Sequence, residues 1–187
     1  MEGRAAMIPK KIQDAFNEQI KHELESAYLY LAMAAYFDNV GFSGMGRWMR
    51  AQVQEELTHA LRFYKHIIER GGQVVLQPLN ILAQHWDSPL KAFESAYEHE
   101  KFVTSKINGL VKLIQAEGDF AANSLLQWFV DEQVEEEEST AKIVQDLRRV
   151  GEDERGMLML DRELGQRTFV LPPELTSLYA QGTKATE

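Results

Sequence analysis

Glu23 is followed by Glu56 and His59 at offsets of 33 and 36 residues, and Glu100 is followed at the same offsets by Gln133 and Glu136. Each set ends in an i, i+3 pair, Glu-x-x-His in one and Gln-x-x-Glu in the other, so both members share one face of a helix. Burying such carboxylates together costs several kcal/mol unless a cation or protons neutralise them. Hard oxygen donors with one imidazole suit iron, manganese or zinc, and no sulfur is present to favour copper. A duplicated carboxylate set is what a two-metal centre inside a four-helix bundle requires. Glu56 shares a face with His59 and lies level with Glu23, which suits it to bridge two metals. The first metal would take Glu23, Glu56 and His59. The second would take Glu56 and Glu100, with Glu136 a further candidate and Gln133 placed to hydrogen-bond bound water or oxygen. This second half is poorer in strong ligands, so its metal should bind more weakly and leave more readily.

Four long helices are needed to position these side chains, and four are legible. Pro9 reads as a first-turn proline opening a helix that runs to about Asp38. Gly41, Gly44 and Gly46 punctuate the turn before a second helix, which ends at Gly71-Gly72. Residues 73–87 lack helical period. Ser88-Pro89 reads as an N-cap and first-turn proline, Gly118 ends the third helix, and the fourth runs from about Phe120 to Val150. A shorter segment, Gly156 to Thr168, carries Met157, Leu158, Leu160 and Leu164. Pro172-Pro173 rules out its simple continuation, and the last residues are expected to fray.

The polar set lies on the apolar seams. Phe16, Ile20, Glu23, Ala27, Tyr30, Ala34 and Phe37 step by alternating fours and threes, as do Phe93, Tyr97, Glu100, Thr104 and Ile107, and Leu126, Phe129, Gln133, Glu136 and Thr140. In an antiparallel hairpin, residues equidistant from the turn lie side by side. The midpoint of Glu23 and His59 is Gly41, and that of Glu100 and Glu136 is Gly118; both fall on expected turns. Residues 73–87 must then cross the bundle. About fifteen extended residues reach roughly 50 Å, enough for a thirty-residue helix of about 45 Å. The expected fold is all-α: a four-helix bundle with one long crossover and a short fifth helix.

Composition narrows the class. The chain has 187 residues, no cysteine and a net charge of −9. One domain over residues 7–170 is expected, with 1–6 and 171–187 as terminal extensions and Met7 a candidate natural start. Disulfides, thiolate zinc sites and iron–sulfur clusters are excluded. The acidic balance argues against nucleic acid and suits handling of cations. Neither a membrane span nor a secretory signal is legible, so a cytoplasmic location is expected.

Taken together, Gln54-Glu55-Glu56-Leu57-Thr58-His59, Tyr97-Glu98-His99-Glu100 and the stretch from Leu126 through Gln133 and Glu136 to Glu137 resemble bacterial non-haem ferritin, over Met7 to about Leu164. The resemblance implies a ferritin-like bundle acting as a ferroxidase. It would oxidise Fe(II) with dioxygen or peroxide at a di-iron centre and store ferric oxide in a hollow cage of twenty-four identical chains. It implies that Tyr30 lies beside the metals as a possible electron donor, and that the fifth helix lines the fourfold axes. It also implies a third iron site toward the cavity, at Glu55, Glu132 and Glu135. Bacterioferritin and rubrerythrin would carry Glu-x-x-His in the fourth helix, where this chain has Gln133-x-x-Glu136, and no haem is expected.

Blander readings stand beside these. A lone Glu-x-x-His is usually surface polarity, but six groups at matched offsets on seam positions are not explained that way. Glu137 and Glu138 read as a solvated face. His22, His66, His85 and His99 read as ordinary polar or packing residues, and the fifth helix could pack on its own bundle alone. The rival functions are a di-iron oxidase or peroxidase of the same fold without mineral storage, and a helical scaffold with a vestigial site.

Overall fold

The computed structural model describes residues 8–80 and 85–179. The expected extension at residues 1–6, with Met7, lies outside them. Four long helices are present: α1 (Lys10–Asn39), α2 (Ser43–Glu69), α3 (Pro89–Glu117) and α4 (Asn123–Val150), the last preceded by a 3-10 turn at Phe120–Ala122. A short α5 (Glu154–Leu164) and a terminal turn of helix, α6 (Thr176–Tyr179), complete the order. No strand occurs among the described residues. No helix among them is long and apolar enough to cross a membrane.

The helices begin and end for local reasons. Ser88 Oγ accepts from the Lys91 amide at 3.2 Å ahead of Pro89, and Asp153 accepts from the Gly156 amide at 3.0 Å. The two hairpin midpoints, Gly41 and Gly118, have φ of 88° and 67°, a conformation that costs glycine little. Pro9 stands just outside α1 and its carbonyl accepts from the Ile12 and Gln13 amides.

Hairpin α1–α2 packs against hairpin α3–α4 along α1 and α3, and α5 lies across α2 and α4. On either side of residues 81–84 the crossover lies against α1, near its first turns and near its last. Gln13 accepts from the Gln73 amide, Asn17 from the Val75 amide and Glu25 from the Asn80 amide, each within 2.9 Å. Trp86 then meets the Tyr36 ring at 5.8 Å. One long crossover, not an up-down chain, therefore connects the hairpins.

Three boundaries differ from expectation. Gly44 and Gly46 lie inside α2, not in the preceding turn. Their reason is close approach: a Cβ on Gly44 would sit 1.8 Å from the Asp161 carbonyl oxygen of α5. Asp161 also caps α2, its Oδ1 accepting from the Met45 amide at 2.8 Å. Helix α5 starts and stops earlier than expected, because Asp153 caps it and Gly165 turns against Gly44. Within the terminal extension expected from residue 171, Leu175 is fully buried and Glu174 accepts from Arg62, while residues 180–187 lie outside the described residues.

Gly44→Ala should push α5 off the start of α2 and lower stability by about 1–3 kcal/mol, the usual cost of overpacking. Gly109→Ala is the control, since nothing lies within 4 Å of that Cβ and an exposed mid-helix alanine is neutral to stabilising. Thermal melting that ranked the two variants equally would refute this account of Gly44.

The core is divided. One apolar cluster gathers Leu29, Tyr30, Phe37, Met45, Trp48, Phe93 and Leu147. The other gathers Ile12, Phe16, Phe63, Ile67, Ile107, Leu126 and Phe129. Between them sits a buried polar layer.

Candidate metal centre

That layer is the set singled out by spacing. Glu23, Glu56, His59, Glu100, Gln133 and Glu136 come from four different helices, and none is more than 4 % exposed. Seam periodicity therefore carried all six inward.

The first half is drawn together most tightly. One ligand atom each from Glu23, Glu56 and His59 lie within 4.8 Å of one another, the one such group of carboxylate and imidazole donors among the described residues. His59 Nδ1 is 3.4 Å from Glu56 Oε2 and 3.9 Å from Glu23 Oε2. The Trp128 and Phe129 rings meet the imidazole edge-on at 5.4 and 5.6 Å and fix its plane. Its Nε2 faces Glu132 Oε1 at 4.0 Å, the side from which a carboxylate orients a metal-binding histidine. Gln19 donates to Glu23 Oε1 at 2.9 Å, whereas Glu23 Oε2 is buried with no hydrogen-bond partner.

The second half is arranged differently. Glu56, Glu100 and Glu136 do not converge as closely, because neutral donors hold the latter two. Tyr30, fully buried, donates its hydroxyl to Glu100 Oε1, and Gln52 donates to Glu136 Oε2 at 2.8 Å. Gln133 gives its amide hydrogens to the Glu100 carbonyl at 3.3 Å and to Thr104 Oγ1 at 3.2 Å, so it braces α3 against α4.

Burial sets the protonation of this layer. It pushes the Glu23 carboxyl up to about 8, with the neighbouring Glu56 adding to the rise. Glu100 also reaches about 8 through burial and the nearby Glu136. Glu56 is held well above the carboxylate range by burial, Glu100 and Glu136. The Tyr30 phenol is raised by burial and then by Glu100. A site this short of positive charge, with an orphaned carboxylate oxygen and an oxygen-plus-imidazole donor set, fits divalent iron, manganese or zinc.

The three outer carboxylates are a looser group. Glu55 and Glu132 are half-buried and Glu135 is exposed. All three line a cleft of about 550 Å³ that also reaches Glu136, Lys142 and Arg167. Burial pushes Glu55 up to about 7 despite the Arg167 guanidinium paired with it, and burial raises Glu132 as well. Glu137, expected to be solvated, is half-buried and accepts from Thr104 Oγ1 at 2.6 Å, because Thr104 faces it from α3. Glu138 is exposed as expected.

Spacing alone missed Gln19, Gln52 and Arg167, and it placed Thr104 on the seam without assigning it a role. A signal existed for the two glutamines, each four residues before a seam glutamate and so on the same helix face. Arg167 pairs with a residue 112 positions away and left no trace in local pattern.

Comparison with known proteins agrees with this architecture. The family described as Ferritin: Ferritin-like domain matches residues 13–150. A protein named bacterial non-heme ferritin from Bacteroides fragilis is 42% identical over 161 residues, covering 86% of this chain and all of the relative. One of the same name from Staphylococcus aureus is 33% identical over 87% of this chain and 98% of its own. A crystal structure of a ferritin from the archaeon Archaeoglobus fulgidus, titled as an open pore ferritin, superposes with a TM-score of 0.85 at 51% identity. It covers 87% of this chain and 99% of that one. With its crossover bundle, its buried carboxylate layer and relatives matched over nearly their whole length, the chain belongs to the ferritin family.

Proposed function

We propose that this protein stores iron, oxidising Fe(II) at the buried layer and depositing ferric oxide in a hollow homo-oligomeric cage of twenty-four chains in the cytoplasm. The observation that carries the reading is the Glu23–Glu56–His59 group with its unpartnered carboxylate oxygen at the break in the core.

Iron is the substrate here. Two Fe(II) ions would be taken at Glu23, Glu56 and His59 and at Glu56, Glu100 and Glu136. They would give one electron each to dioxygen, which leaves as hydrogen peroxide after accepting two protons. The chain's own groups set the conditions. Glu23, Glu56 and Glu100 shed protons as the cations arrive. The edge-on aromatics hold His59 in orientation. Gln133 and Gln52 keep the weaker half from collapsing, and Tyr30 orients Glu100 with its phenol in reach as a one-electron donor. Glu55, Glu132 and Glu135 would form the outer site through which oxidised iron passes toward the cavity.

Assembly is supported by apolar side chains left uncovered on one bundle. Tyr28, Leu31, Leu76, Leu158 and Met159 are between 46 % and 72 % exposed. Helix α5 packs on its own bundle through Leu160 and Leu164 but leaves Leu158 and Met159 outward, free to meet other copies.

Native mass measurement and size exclusion after aerobic Fe(II) addition test the reading. The expected result is a particle of many chains that co-elutes with iron in large excess over its binding sites. A small oligomer that oxidises iron and releases it as free precipitate would instead identify a di-iron oxidase.

A further inference from the structure

Arg167, just beyond α5, lies across the outer cleft. Its guanidinium pairs with Glu55 of α2 and stacks over Trp48, 4.4 Å from the ring centroid. The two side chains are 23 % and 22 % exposed, and Nη1 of the arginine is buried with no hydrogen-bond partner. An ion pair taken this far from water loses much of its attraction to desolvation, and a buried donor left unpaired costs free energy. Stability alone is a poor reason for this contact.

The segment that carries Arg167 is anchored to α2 on both sides of it. Upstream, Gly165 rests against Gly44, its carbonyl accepts from Arg47 at 3.3 Å, and Asp161 caps the Met45 amide. Downstream, Leu175 is fully buried, the Glu174 carboxylate accepts from Arg62, and the Glu174 carbonyl accepts from Lys65 at 2.9 Å. Arg62 in turn stacks on Trp128 at 3.7 Å, the ring that meets His59. The chain from Gly165 to Leu175 is thus a strap along α2, and it sets one guanidinium among Glu55, Glu132 and Glu135.

We propose that Arg167 is a displaceable counter-ion of the outer carboxylates, occupying Glu55 until a divalent cation takes Glu55, Glu132 and Glu135. Release of the arginine gives up the Glu55 pair and the Trp48 stacking, but the cation takes over the Glu55 charge and the Nη1 gains the water partner it lacks. The competition keeps the cleft's affinity for cations low, as a relay requires. The strap holds the guanidinium near enough to return when the cation moves on. The proposal rests on the reading of these three carboxylates as an outer metal site.

The test uses metal-free full-length protein titrated calorimetrically with Zn(II), a redox-silent probe. In the unaltered protein a third, weaker equivalent should follow the first two. In Arg167→Gln the third equivalent should tighten about tenfold relative to the first two, and in Arg167→Lys it should fall between. A combined Glu55→Gln, Glu132→Gln, Glu135→Gln protein should lose it. A third equivalent of equal affinity in the wild type and both arginine variants, with a lowered melting temperature, would overturn the counter-ion role and leave Arg167 a tether of the strap. A third equivalent absent from all of these proteins, or retained in the triple variant, would overturn the outer-site reading and the counter-ion proposal with it.

Discussion

Glu23→Ala and His59→Ala should each abolish the rapid phase of Fe(II) oxidation, lowering its rate by at least about a hundredfold. Even outer partners of a metal ligand are worth 10–100-fold, and these two side chains supply donors of the tightest such group among the described residues. The two variants should part company in stability. Glu23 is a fully buried carboxyl with one oxygen unpaired, so its loss should leave the metal-free bundle as stable as before or more so. His59 is wedged against Trp128 and Phe129, and its removal forfeits about 0.5–1.5 kcal/mol for each aromatic contact. Stopped-flow oxidation and thermal melting of the same preparations check both statements. Unimpaired oxidation in either variant would remove the metal centre from this layer.

The metal-free protein should lose stability steeply as pH rises from 6.5 to 8.5, and bound metal should remove that loss. Glu23 and Glu100 titrate at about 8 in the folded chain, chiefly because they are buried, against an ordinary value of 4.5. A carboxyl whose folded value is raised contributes stability that is complete below 4.5 and disappears as pH climbs through 8. Glu56 acts in the same sense. Five groups act the other way, His66 and His99 among the imidazoles and Glu18, Glu94 and Glu174 among the carboxylates, but outside this window. Burial lowers His99 to about 4, so its contribution is lost below pH 6.5. Glu94, held low by hydrogen bonds from Lys91 and Arg148, loses its contribution near and below 4.5. Between 6.5 and 8.5 the buried carboxyls therefore dominate. A few kcal/mol should go, or roughly 10 °C in melting temperature for a domain of this size. Calorimetry of chelator-treated protein with and without Zn(II) reads this directly. A flat profile without metal would mean that the layer is not short of positive charge.

Much of this was written in side-chain spacing. Glu23, Glu100, Gln133 and Glu136 interrupt regular seams, and Glu56 a noisier one, and a 3.6-residue period leaves a seam residue no other direction to face. The midpoint rule placed Gly41 and Gly118 on the turns because hairpin geometry is nearly linear in sequence. Gly44 and Gly46 misled for a definite reason. Glycine marks close approach as well as turns, and the close approach is to Asp161 at Gly44 and to Asp38 at Gly46, which local pattern does not reveal. The same holds for Arg167 with Glu55 and for Gln52 with Glu136, contacts fixed by tertiary packing. Gln133 was expected to face a bound oxygen species or water. In the structure its amide donates to Glu100 and Thr104, a choice among rotamers that spacing does not determine, and its contact with bound oxygen or water belongs to the proposed function.

The division of the core by a polar layer also bears on how the helices find their alignment. Apolar seams alone are forgiving: a helix slid by one turn, about 5.4 Å, would set Phe against Ile much as before. The layer is not forgiving. Such a slip of α3 would carry Glu100 into one of the two clusters of Phe, Ile, Leu and Met on either side, away from Tyr30 and Gln133, and leave a carboxyl among hydrocarbon with nothing to donate to it; a slip of α1 would carry Glu23, with Gln19 beside it, away from Glu56 and His59. Misaligned bundles are thereby excluded, much as a single buried polar residue fixes the register of a coiled coil. The residues proposed to hold a cation in the finished protein would thus also act as an alignment key while the chain folds.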